Sequence, residues 1–135
     1  MDIRDYQEWV RQFDQARGWD LCPGTDTLAH VLEELGELSR CVLALEGYRT
    51  VSPGERERIR ENLGEELADV VTFLVKLAYT YNLDLAQYLA ANQAKCRQRF
   101  GEGSGSYSCE EYLRYKKESA DALLAQYQQR FGKKE

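Results

Sequence analysis

Between residues 28 and 81 the apolar side chains keep one rhythm. Leu28, Val31, Leu35, Leu38, Val42 and Leu45 alternate spacings of three and four, and Leu63, Leu67, Val70, Leu74, Leu77 and Tyr81 do the same. Such positions share one side only on an α-helix, so the chain contains two long helices, each with an apolar seam. The first is predicted over about Thr27 to Glu46. The second opens at SPGE, where Ser52 can cap, Pro53 suits the first turn and Glu55 can complete a capping box; it runs to about residue 80.

The flanking segments are helical too. Tyr6, Trp9, Val10 and Phe13 predict a first helix over about residues 2–16, ending near Gly18. Asn82 breaks the third helix, and Leu85, Tyr88, Leu89, Asn92 and Cys96 mark a fourth, to about Phe100. GEGSGS, residues 101–106, reads as a linker with no Walker-type lysine after it. Beyond it, Ser108 with Glu111 offers another capping box, and Tyr112, Tyr115, Leu123, Leu124, Tyr127 and Phe131 predict a fifth helix. The expected fold is all-α: a four-helix-bundle-like core over residues 1–100, with an additional helix over 107–135 that packs on its own bundle or on a second subunit.

The chain's 135 residues fit a single core. A net charge of -5 and a pI near 5.0 leave no basic excess, which argues against nucleic acid or an anionic membrane as partner. No stretch approaches 18 apolar residues and the N-terminus is amphipathic, so a soluble, cytoplasmic protein is expected. Cys22, Cys41, Cys96 and Cys109 form no CxxC and stand with a single histidine, so they read as reduced thiols with a packing role.

The two long helices also carry an echo. EELGEL at residues 33–38 returns as EELADV at 65–70, which puts Glu33, Glu34 and Glu37 in register with Glu65, Glu66 and Asp69. Five like-charge pairs at helical spacing follow, among them Glu34 with Glu37 and Glu66 with Asp69. At roughly 0.2 to 0.5 kcal/mol each they cost on the order of 1 to 2.5 kcal/mol. Basic neighbours are few: nothing basic lies between Arg60 and Lys76. Glu34, Glu37, Glu66 and Asp69 each directly precede a seam residue, so antiparallel packing would bring four carboxylates to the rim of the core. Their oxygens suit a hard cation such as Mg²⁺ or Mn²⁺. The competing interpretation is a solvated acidic face.

EELGE followed after 28 residues by ELAD resembles the EExxE and ExxD pair of the MazG-like, all-α nucleoside triphosphate pyrophosphohydrolases. The resemblance covers roughly residues 5–100 and includes the lead-in FDQARGWD, similar to the segment that precedes the first motif in dCTP pyrophosphatases. It implies that Glu34, Glu37, Glu66 and Asp69 bind Mg²⁺, with Glu37 and the water-orienting Glu33 as catalytic groups. In NQAK it implies that Asn92 and Lys95 hold the triphosphate. Tyr88 and Cys96 depart from the family pattern, where a lysine and an aromatic residue are common.

The implied reaction cleaves a nucleoside triphosphate between its α- and β-phosphates, in a homodimer or homotetramer. Trp9, Phe13 and Trp19 then either stack on the base or fill the core. His30 is either an ordinary packed side chain or a substrate-facing one. A ferritin-type di-iron site is excluded by its spacing, since that site wants two Glu-x-x-His pairs. Lys76 reads as a solvated or inter-subunit charge, and Arg97 and Arg99 as complements to a helix dipole or an extended phosphate strip. Two alternatives stay open: a pyrophosphohydrolase for a specialised nucleotide such as phosphoribosyl-ATP, and a non-catalytic bundle that binds a partner through its C-terminal helix.

Overall fold

The computed structural model describes residues 1–101 and 105–132, with side chains for all of these except 105–108. The elements are α1 (Ile3–Gln15), a 3₁₀ turn (Trp19–Leu21), α2 (Gly24–Leu45), α3 (Pro53–Thr80), α4 (Leu85–Arg99) and α5 (Gly105–Phe131). Among the described residues there is no strand, and the fold is all-α. The chain divides into two units, Met1–Leu89 and Ala90–Glu135.

The helix ends follow from local chemistry. Asp2 accepts from the backbone N–H groups of Arg4 and Asp5 at 2.8 and 2.9 Å, and Asp5 accepts from the Asp2 N–H at 3.2 Å, a capping box built from two aspartates. At α3, Ser52 Oγ accepts from the Glu55 N–H at 3.3 Å, and Pro53 occupies the first turn as predicted. Glu55 leaves that box half made. It turns to Arg49 at 2.7 Å, whose charged hydrogen bond holds its carboxyl below the usual carboxylate range. Asn82 breaks the chain after α3 at φ 55°, and Asp84 then accepts from the Ala86 and Gln87 N–H groups to start α4.

α2 starts at Gly24, three residues ahead of the prediction, because the Pro23 carbonyl already accepts from the Asp26 and Thr27 N–H groups. A Cβ at Gly24 would meet the Tyr81 hydroxyl, so a larger residue there would have to displace that exposed ring. α2 and α3 form the largest interface between elements, and their pairing is antiparallel. Partners fall along α3 as they rise along α2: Gly24 meets Tyr81, His30 meets Phe73, Glu34 meets Asp69 and Glu66, and Cys41 meets Asn62.

α1 lies on α3 with Val10, Val75 and Tyr79 at the centre of the contact. Tyr6 Oη and Thr72 Oγ1 share a hydrogen bond of 2.7 Å. Gln7 grips the turn before α4 with both ends of its amide, donating to the Leu83 carbonyl at 2.7 Å and accepting from the Leu85 N–H at 3.1 Å. The seams are less buried than their rhythm suggests. Val31 and Val70 are enclosed, whereas Leu28, Leu35, Leu67 and Leu74 stay 41 to 48% exposed. One helix pair with α1 across it cannot cover a stripe that wide.

In the second unit α5 is already helical at Gly105. The expected cap at Ser108 involves a side chain outside the described residues, as do residues 102–104 of the linker stretch. Tyr112, Tyr115, Leu123, Leu124, Tyr127 and Phe131 are each more than half exposed. No helix of the described residues is long and apolar enough to cross a membrane.

Candidate metal and nucleotide site

Glu34 on α2 and Glu66 and Asp69 on α3 each offer a carboxylate oxygen, and the three atoms lie within 4.8 Å of one another. Glu66 is buried, Glu34 half-buried and Asp69 exposed. Among the described residues no lysine or arginine forms an ion pair with any of them. Burial, and then the charges of Asp69, Glu66 and Glu37, push the Glu34 carboxyl above the usual carboxylate range. Asn62 lies one helical turn before Glu66 and steadies it, donating Nδ2 to Glu66 Oε1 at 3.2 Å; the same amide is 3.3 Å from Cys41 Sγ.

The other acids of the first hexad stand apart. Glu37 faces Arg40 at 3.4 Å and is not part of the three-atom cluster, although Glu34 feels its charge. Glu33 is exposed and pairs with His30 Nδ1 at 3.2 Å. The His30 ring stacks on Phe73 with centroids 5.1 Å apart and planes 14° apart. Asn92 and Lys95 lie on α4 within the second unit, where both are exposed.

The aromatic lead-in builds a wall beside the acids. Trp9 stacks on Tyr6 at 5.6 Å, Phe13 tilts on Trp9 at 5.2 Å, and Trp19 meets Phe13 edge-on at 6.1 Å. These rings, with Thr72, Phe73 and Asp69, line a cavity of about 340 Å³. That is within the usual range for small-molecule sites.

Lys76 corrects an expectation. It is buried rather than solvated, with Nζ 2.9 Å from Asp14 Oδ2 and donating to the Trp19 carbonyl at 3.1 Å. Tyr79 donates its hydroxyl to the same Asp14 oxygen at 2.5 Å; burial first, then that hydrogen bond, raise the phenol above its ordinary value of 10.0. The buried charge is tolerable because it is paired and hydrogen-bonded. Asp14 stands 62 positions earlier in the chain, so local charge patterning could not reveal the pair. One signal was present: Lys76 follows Asp69 by seven residues and therefore shares its side of α3. Phe73 and Asn62 were likewise passed over, though each sits one turn from an acid of the second hexad.

The chain is thus an all-α protein in which an antiparallel helix pair brings together three carboxylates, without an ion-pair partner among the described residues, beside an aromatic cavity. No family model matches the chain. It is 34% identical over 104 residues to the uncharacterized protein YvdC of Bacillus subtilis (strain 168), an alignment that spans 74% of this chain and 97% of that protein. The chain belongs to the same family as YvdC.

Proposed function

We propose that the chain is a Mg²⁺-dependent nucleoside triphosphate pyrophosphohydrolase that splits an NTP or dNTP into the monophosphate and pyrophosphate. The observation that carries this reading is the convergence of Glu34, Glu66 and Asp69 within 4.8 Å, with no basic ion-pair partner among the described residues and with Asp69 also lining the aromatic cavity. The donor set fits Mg²⁺ or Mn²⁺, since it is all carboxylate oxygen, and a cation would relieve the charges of Asp69, Glu66 and Glu37 that add to burial in raising Glu34. When bound, the cation supplies neutralisation of the phosphate chain and a more acidic water.

The protein's own groups do the rest. Asn62 holds Glu66 in place, and Trp19, which borders both the aromatic cavity and the one that His30 lines, offers a face for a base. Glu37 joins the cluster by releasing Arg40, an exposed pairing worth about 0 to 1 kcal/mol. Glu33 orients water, with His30 beside it on the substrate side. The partner set is the nucleotide and further copies of the chain, as homodimer or homotetramer.

Pyrophosphate release from a panel of canonical and modified ribo- and deoxyribonucleoside triphosphates tests the proposal, run with Mg²⁺ and with Mn²⁺ beside Glu37→Gln and Glu66→Gln. Turnover of at least one nucleotide is expected, falling about 100-fold or more in either variant. Failure of the whole panel, phosphoribosyl-ATP included, would sink the hydrolase reading. The exposed aromatic residues of α5 favour a second reading, a partner-binding bundle without catalysis. Such a protein would show no Mg²⁺-dependent rise in melting temperature.

A further inference from the structure

A second cavity of about 340 Å³ lies on the other side of Trp19, Phe73 and Lys76, and its wall includes His30 and Thr27. Thr27 is only 2% exposed, and its Oγ1 has no hydrogen-bond partner among the described residues. That is unusual on a helix, where a threonine hydroxyl can return to the carbonyl one turn back. Buried polar atoms are nearly always paired, and one that is not calls for a physical reason.

Lys76 adds a second unused donor. An ammonium has three N–H groups, and Asp14 and the Trp19 carbonyl take two of them. The third has no partner among the described residues although the side chain is about nine-tenths buried. Both residues line this cavity, and the Lys76 ammonium can only donate. The stacked rings of His30 and Phe73, with Trp19, supply flat apolar surface.

We infer that this cavity is a recognition pocket for the edge of a nucleobase bearing a ring carbonyl, and that Thr27 and Lys76 are its specificity-determining donors. The inference rests on the nucleotide reading above and names its substrate class. Hypoxanthine, guanine and the pyrimidines present such an oxygen. Adenine presents an amino group and ring nitrogens, which would leave the ammonium and the hydroxyl without a carbonyl acceptor.

The test separates the pocket from the hydrolase. Quenching of tryptophan fluorescence by inosine, uridine and adenosine 5′-monophosphates, in EDTA, measures binding with no reaction possible. The inosine or uridine compound should bind about tenfold more tightly than the adenosine compound, the difference expected of one lost buried hydrogen bond. Thr27→Val should melt at or above the wild-type temperature yet lose that preference to within about twofold, and Thr27→Ser should restore it.

An unchanged preference in Thr27→Val would overturn the proposal, making the hydroxyl a packing defect. So would equal binding of all three monophosphates, or quenching by none. Preference in EDTA without pyrophosphate release from any triphosphate would leave the pocket standing and remove the hydrolase. Turnover of inosine and adenosine triphosphates with equal kcat/KM, together with equal monophosphate binding, would do the reverse.

Discussion

Three carboxylates that meet within 4.8 Å repel one another, so removing one charge should help the metal-free fold and harm cation binding together. Glu34→Gln is expected to raise stability without metal by about 0.5 kcal/mol, the size of one relieved like-charge pair. It should also lose the gain of about 1.4 kcal/mol expected of wild type at tenfold Mg²⁺ over Kd. Denaturant melts with and without Mg²⁺ measure both, and a variant that keeps the metal response would exclude Glu34 as a ligand. Tyr79 gives the pH dependence. Its phenol holds its proton to higher pH in the folded chain than in the unfolded one, so the folded state binds more protons above pH 10. Stability should therefore fall as pH rises past 10. Tyr79→Phe should flatten that limb of a melting-temperature profile, and an unchanged limb would count against the assignment.

At the scale of elements, the start of α3 rests on one side chain. Ser52 caps without help from Glu55, so Ser52→Ala should cost about 1 kcal/mol in equilibrium unfolding. A loss below about 0.2 kcal/mol would mean that Pro53 alone fixes the start. The long helices were legible because their rhythm is local: Leu63 to Tyr81 repeats its spacing without reference to anything distant. Asn82 was legible as a break for the same reason. Antiparallel pairing stood only as a condition of the site, and the seven residues that join α2 to α3 suit it. What could not be read depends on contacts across the chain. The burial of Lys76 needs Asp14, and the orphaned hydroxyl of Thr27 is defined by which partners fail to arrive. The Asp2 and Asp5 box was local and still missed, because aspartate stands where glutamate is usual.

For the molecule as a whole, the first unit leaves much apolar surface uncovered. Val71, Leu74, Tyr81, Leu83 and Leu89 are each more than 40% exposed and help line an apolar groove of about 470 Å³. Continuous patches of this kind mark interaction surfaces. If that surface is covered by another copy, sedimentation at micromolar concentration should give a species larger than the 15.6 kDa chain, and Leu74→Glu should return it to one chain. A single 15.6 kDa species in wild type would rule out self-assembly through the groove. Trp19, Phe73 and Lys76 have a different kind of reach, because each borders two cavities at once. A shared wall links the occupants on its two sides. Any ligand that shifts the Trp19 ring in one chamber reshapes the other, and linkage requires the effect to be equal when the order of filling is reversed. If both chambers bind, what fills the space beside Asp69 sets how strictly the space beside Thr27 chooses.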